Sequence, residues 1–213
     1  MRQIAFFCPY AVTPCRPEAC RKTILPATSG GTTAHLLCFY HRCGGQRKSE
    51  AVSFFNLFSS NPPIVIFSPA RRVRDNTTKH TLQNVLQVPE VVINMVTYDM
   101  VQQTSLASCE YGKEVDEFEK AGFTKKAATL VKPPMVRESK AQLECKVIEV
   151  KSLGEEGGAG QLVICEVLRL HIADELLDSD NKIDQTKLDL VARLGGDWYC
   201  RTTPEKLVTV QKP

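Results

Sequence analysis

Hydrophobic and polar positions fall into two regimes along this chain, and the change comes near residue 52. Up to there, in MRQIAFFCPYAVTPCRPEACRKTILPATSGGTTAHLLCFYHRCGGQRKSEAV, apolar residues arrive in scattered twos and threes. Cys, Pro, Gly and Thr interrupt every helical period, and no stretch alternates cleanly enough to predict a strand. From Ser53 onward the pattern is regular. The run PPIVIFSP is short, apolar and bounded by prolines, and predicts a buried strand. In TKHTLQNVLQV, Leu82, Val85 and Leu86 recur at helical spacing, with Thr77 or Thr78 as the cap. EVVINMVT predicts a second buried strand. VDEFEKAG predicts a short helix, with acidic residues early in it and Gly122 as its stop.

The rest is β-rich. AQLECKVIEVKSLG alternates imperfectly through Leu143, Cys145, Val147 and Val150, and the glycine-rich GEEGGAGQ turns the chain into LVICEVLRLHI. The pair predicts a long hairpin, with Pro133–Pro134 in the connection leading to it. DELLDSDNKIDQTKLDLVARLGG reads as helix or turn, and DWYCRT ends the compact part. Several strands with short helices between them predict a mainly β fold, a barrel with helical insertions.

Composition narrows this picture. A chain of 213 residues suits one domain, alone or with a small appendage. A net charge of +3 is too small to argue for a nucleic-acid partner. Charged residues at 24% match the globular average and argue against wholesale disorder. No apolar run reaches the roughly 18–20 residues of a membrane span. The Met1 end lacks the basic-then-apolar layout of a secretory signal, so a cytoplasmic location is expected.

One count is odd. Five of the nine cysteines (Cys8, Cys15, Cys20, Cys38, Cys43) crowd into the first 43 residues. Cys15-x4-Cys20 and Cys38-x4-Cys43, with His35 and His41 nearby, allow a small zinc module, though the spacing is at the loose end of structural sites. Disulfides are disfavoured by the expected compartment. Cys109, Cys145, Cys165 and Cys200 are dispersed, and Cys145 and Cys165 read as small buried hydrophobes.

The chain carries no G-x-S-x-G, P-loop, G-x-G-x-x-G or H-E-x-x-H motif. No side chain is marked as a catalytic acid, base or nucleophile. The glycines of GEEGGAGQ have strands on both sides and predict a turn rather than a phosphate cradle, which normally opens a helix. His171 alternates with apolar neighbours and reads as structural. ARRVRDNTTKHTLQN is different: Arg71, Arg72, Arg74 and Lys79 surround hydroxyls and the first turn of a helix. Helical N–H groups with basic side chains make a candidate anion site; the plain alternative is a solvated basic loop.

The runs SFFNLFSSNPPIVIFSPARR, TKHTLQN and EVVINMV, continued by VDEFEKAGFT, VKPPMVRESKAQLECKV, GGAGQLVICEVLRLHI and LVARLGGDWYCR, resemble the flavin reductase-like, FMN-binding split-barrel family in order over about 150 residues. The resemblance implies a six-stranded antiparallel barrel with helical extras. It also implies a homodimer with FMN at the subunit interface and NADH or NADPH as electron donor. Ser53, Phe54, Phe55 and Asn56 stand where the family's S-F-F-N segment lies along the isoalloxazine. Lys79, Thr81 and Asn84 stand in its K-D-T-L-x-N segment, where Lys and Thr approach the FMN phosphate. Arg72 joins them through the anion-site reading. Here His80 replaces the family's Asp.

Upstream of S-F-F-N the family carries a strand and hairpin resembling A-P-R-P-I-x-x-x-S-T-x-D-x-x-G-x-x-N-L-x-P-F, whose S-T pair and N-L-x-P segment supply much of the flavin pocket. This chain has GTTAHLLCFYHRCGGQRKSEAV instead. Reading the codons for Gly31 to Ala51 one nucleotide later, degenerate positions permitting, gives A-P-R-P-I-C-F-A-S-T-I-D-A-E-G-N-V-N-L-R-P. Each shifted codon has its first and third bases fixed, so agreement at so many positions is improbable by chance. The expected organisation is therefore an atypical segment over 1–52, frameshifted in at least 31–52, followed by a split-barrel domain over 53–213. As written, the first segment leaves a barrel strand and part of the pocket missing. The alternative to a reductase is then a protein of this fold that binds FMN without turnover or is inactive.

Overall fold

The computed structural model describes the backbone of residues 2–4, 33–34, 36–41, 47–109, 111–112 and 115–211, and side chains from residue 51 onward. The first strands are β1 (Arg2–Ile4), β2 (Thr33–Ala34), β3 (Leu36–His41) and β4 (Arg47–Val52). They are followed by β5 (Phe55–Ser60), β6 (Pro63–Phe67), β7 (Glu90–Met95), β8 (Lys125–Lys126) and β9 (Met135–Val136). The last are β10 (Ala141–Ser152), β11 (Gln161–Ile172), β12 (Val191–Gly195) and β13 (Trp198–Arg201). Three short helices intervene: α1 (His80–Gln87), α2 (Val101–Ala107) and α3 (Glu117–Ala121).

One antiparallel sheet dominates, in the order β4-β3-β7-β10-β11-β6-β5, with β1 also pairing to β11. Its two ends, β4 and β5, are consecutive in the chain and joined by Ser53 and Phe54 alone. Laid flat, strands about 4.8 Å apart would separate those ends by roughly 29 Å. Two linking residues reach at most about 11 Å. The sheet must therefore curl until its ends nearly meet, and one face becomes an interior. That interior holds Val65, Phe67, Ile93, Leu143, Val163 and Cys165, with Leu82 and Val85 of α1 packed against them. A second cluster, built on Met100, Phe118, Ala121 and Val136, seats α2 and α3 beside Ala51 of β4.

The long hairpin forms as predicted, β10 against β11 around the glycine-rich turn. Its imperfect alternation has a physical cause: the register shifts between Glu144 and Cys145 and again between Val147 and Glu149. The helix in VDEFEKAG is also found. The Asp116 carboxylate accepts from Phe118 N–H at its start, and Gly122 at φ 70 caps its end. Cys145 and Cys165 are buried and not disulfide-bonded, and burial pushes the Cys165 thiol up to about 12.

Other expectations are corrected. PPIVIFSP forms β6, but Ile64 and Ile66 face away from the interior and stay half-exposed. In α1 the stripe includes Thr81 and Asn84, while Leu86 is exposed. The cap position is Lys79, with no side-chain cap, rather than Thr77 or Thr78. VARLGG is the strand β12, paired to β13, instead of helix or turn. α2 was not predicted at all. The sheet also exceeds six strands, and its backbone draws on the first segment: β3 pairs with β7 and with β4. The strand position expected to be missing is thus filled by backbone. The side chains of that segment, including the cysteines and histidines of the zinc reading, lie outside the described residues.

A buried polar layer ties a loop to the sheet. The Glu144 carboxylate, fully buried, accepts N–H groups of Thr129 (3.0 Å), Leu130 (2.6 Å) and Val131 (3.1 Å). His171 Nε2 lies 2.5 Å from its Oε1, the structural role predicted for that histidine. Burial opposes ionisation of Glu144, yet donation from Leu130, His171 and Thr129 outweighs it and holds the carboxyl below its ordinary range. The folded value lies below the unfolded one. The carboxylate's stabilisation is therefore complete above about pH 4.3, the unfolded value, and is lost as pH falls through the depressed one. Glu144→Gln should cost about 2 kcal/mol at pH 7, and its gap to the wild type should narrow on acidification. Urea unfolding between about pH 3 and 7 checks this; a gap independent of pH sinks it.

Candidate functional site

Antiparallel pairing brings the N-terminal end of β5 beside the C-terminal end of β6, with Phe55 opposite Phe67. The link between the sheet's two ends is thereby held next to the start of the basic loop. Ser68 N–H donates to Phe54 O at 3.0 Å, just outside the strands. Along β5 the side chains alternate. Phe55 and Leu57 pack inward against the core, while Phe54 (60% exposed) and Asn56 point outward with Phe58 (63%). The four S-F-F-N residues therefore occupy both faces of the strand.

The basic loop closes on itself. Arg72 N–H donates to Thr77 O at 2.9 Å, and Asn76 N–H to Arg72 O at 3.0 Å. The Arg72 guanidinium donates through Nη1 to Thr77 Oγ1 (3.1 Å) and Thr78 O (2.8 Å). Arg71 Nε donates to Asn76 Oδ1 at 2.8 Å, and Asn76 takes a positive φ of 52 to make the turn. The Thr77 hydroxyl and N–H hold the Asp75 carboxyl below its usual range. Its negative charge lies 3.8 Å from Arg74 and is also favoured by the nearby Arg72. This explains why neither threonine caps α1: Thr77 donates to Asp75, and Thr78 serves Arg72 and Gln83.

Arg72 thus grips the two residues immediately before Lys79, at the entry to α1. The cap residue Lys79 gives that helix no side-chain cap and its first turn holds no acidic residue, so no carboxylate of the helix itself offsets its positive end. Thr81 and Asn84 lie one turn apart on the same stripe, both 3% exposed. Asn84 Nδ2 is buried without an acceptor among the described residues. A buried donor without a partner costs free energy unless an acceptor meets it. A helix start without acidic residues, the flanking cations Lys79 and Arg72, and an orphaned donor on Asn84 fit the acceptor-rich phosphate of FMN.

The sequence-predicted residues thus form two groups at one end of the β5–β6 pair, Ser53–Asn56 on the link and Arg72, Lys79, Thr81 and Asn84 around the helix start. Among the described residues no cluster of three His, Cys, Asp or Glu is placed to hold a metal. No described helix is long and apolar enough to cross a membrane. Sequence reasoning missed Asn76, whose αL turn shapes the basic loop. Its signal was the Asp-Asn pair in a turn context.

Residues 33–187 match the flavin reductase like domain family. An uncharacterised protein of Aquifex aeolicus is 33% identical over 153 residues, covering 72% of this chain and 76% of that protein. A candidate flavin reductase with a split barrel domain from Shewanella frigidimarina superposes with a TM-score of 0.74 at 26% identity, over 86% of this chain and 87% of that one. The FMN-binding protein of Thermus thermophilus shares the fold, with a TM-score of 0.67 at 16% identity, over 93% of this chain and 100% of that one. The curled antiparallel sheet is therefore a split barrel, and the chain belongs to the flavin reductase-like family.

Proposed function

We propose that this chain is an FMN-binding oxidoreductase that reduces flavin with NADH or NADPH. The observation that carries the proposal is Asn84 Nδ2, buried without an acceptor among the described residues, on a helix whose acid-free start has Lys79 and the Arg72 loop beside it. FMN binding in the Thermus thermophilus protein supports the same ligand here. When bound, FMN supplies the redox chemistry, taking hydride from the nicotinamide at flavin N5. The chain's own residues bind and orient. Lys79 and the helix start neutralise a phosphate dianion, and Arg72 holds the loop that presents them. Ser53–Asn56 offers one edge of backbone and the exposed Phe54 ring to a planar group. No protein acid or base is required for hydride transfer, in keeping with the lack of a catalytic motif in the sequence.

A homodimer is part of this proposal. On the outer face of β5, β6 and β11, Ile66 lies between Asn56 and Ile164, with Ile64, Leu162 and the exposed Phe54 and Phe58 around it. Such an apolar face beside the proposed flavin contacts supports a second copy seated there. A cytoplasmic setting is consistent with that chemistry and forms part of the same reading.

A second reading follows from the codon pattern. If residues 31–52 carry out-of-frame side chains, the backbone hairpin stands but the pocket lining does not, and the chain binds FMN weakly or turns over nothing. Titrating this chain with FMN beside a version bearing the shifted reading separates the two. Yellow protein that oxidises NAD(P)H supports the reductase; colourless protein whose activity returns only in the corrected version supports the second. Sequencing the coding DNA checks the frame directly, and an intact frame near codons 31 and 52 ends the frameshift idea.

Two further outcomes are expected. Lys79→Ala should weaken FMN about tenfold while leaving riboflavin, which lacks the phosphate, within about twofold; equal losses in fluorescence titrations would place the phosphate elsewhere. Ile66→Glu should convert a dimer to a monomer in sedimentation velocity, and an unchanged dimer moves the interface off this face.

A further inference from the structure

The turn between β10 and β11 lies against the loop that carries Arg72. Arg71 N–H donates to Ala159 O at 2.9 Å, Gly158 N–H to Arg71 O at 3.0 Å, and Gln161 N–H to Pro69 O at 3.1 Å. Ala70 and Gly160 complete the seam as an antiparallel bridge. Gly157 is the glycine of this turn that comes closest to another stretch of backbone. A Cβ there would lie 2.9 Å from Val73 Cα, 3.1 Å from Val73 O and 3.2 Å from Arg72 O. All three are backbone atoms, which cannot swing aside as the end of a side chain can. Gly158 has a positive φ of 91, a conformational demand, whereas Gly157 is not among the positive-φ glycines. What position 157 requires is space.

We infer that Gly157 is a positioning residue for the phosphate end of the proposed FMN site. Its missing side chain lets the turn press directly on the Arg72–Val73 backbone. That contact fixes the Arg72 peptide, whose guanidinium grips Thr77 and Thr78, the two residues before Lys79. A methyl group at 157 pushes the loop outward and carries Arg72 and the entry to α1 with it. The hairpin turn set aside as a phosphate cradle thus acts on the phosphate indirectly, by holding the loop that binds it. The inference rests on the FMN reading above.

The test compares FMN and riboflavin binding, by flavin fluorescence titration, in the wild type, Gly157→Ala and Gly154→Ala. Position 154 is in the same turn, but its added carbon meets only Ala159 Cβ, at 3.3 Å. Gly157→Ala is expected to weaken FMN about tenfold and riboflavin less than about twofold, with Gly154→Ala near the wild type for both. Unchanged FMN affinity in Gly157→Ala overturns the inference and leaves the FMN site standing. Equal loss of both ligands overturns it too, since that marks general damage to the fold. A wild type that binds riboflavin as tightly as FMN, or binds neither, overturns the phosphate site itself and the inference with it.

Discussion

Two residues between the ends of one sheet constrain almost everything else in this molecule. Because Ser53 and Phe54 alone join β4 to β5, the sheet cannot lie open, and curling is the geometric consequence of that connection. Curling decides which side chains become core. On β6 it sends Val65 and Phe67 inward and Ile64 and Ile66 outward, and on β11 it does the same for Val163 and Cys165 against Leu162 and Ile164. It also leaves a seam where the ends meet. α1 packs beside β3 and β4, on the side of the sheet that ends in the link.

The proposed site occupies that seam, and the location has a physical logic. Strand interiors have their backbone groups committed to neighbours, so they have little to offer a ligand. Strand ends and the first turn of a helix are where a fold more readily presents donors and acceptors to a ligand. Arg71 and Arg72 spend their guanidinium groups on shaping the loop, on Asn76, Thr77 and Thr78. With those guanidinium groups engaged in the loop, Lys79 and the start of α1 are the positive groups that the proposal assigns to the phosphate. The buried Glu144–His171 pair does comparable work on the other side of the sheet, anchoring residues 129–131 by their N–H groups.

Legibility in the sequence followed how local each feature was. The β10–β11 hairpin and α3 were readable because period, turn and caps sit within a few residues of one another. α2 was not, since its buried positions are Thr104 and Ala107, which make no apolar stripe. β12 was obscured by helix-like spacing in the polar stretch before it. The cap of α1 was misplaced because the Thr77 hydroxyl is claimed by Asp75 and the Thr78 hydroxyl by Gln83, a competition invisible in residue types. In the site, Lys79, Thr81 and Asn84 were legible as a motif, and the basic loop as a charge cluster. The role of Gly157 was not, because its neighbour Val73 is brought to it only by the folded sheet.

Residues 33–52 separate two kinds of information that usually travel together. Their apolar pattern predicts no strand, yet their backbone pairs in register with β7 and closes the sheet. Ladder hydrogen bonds use groups that every residue except proline carries, so a strand position flanked by a well-specified neighbour tolerates poor side chains. β7 is such a neighbour, buried on both faces and already paired to β10. A pocket has no comparable tolerance: hydrogen bonds and close packing around a flavin depend on particular side chains at particular places. Backbone pairing across this hairpin is therefore compatible with either reading of its codons, and the two readings differ in the side chains they would bring to the proposed flavin site. Membership of the family rests on residues 33–187 taken together, whereas the proposed activity depends on whichever side chains line the flavin.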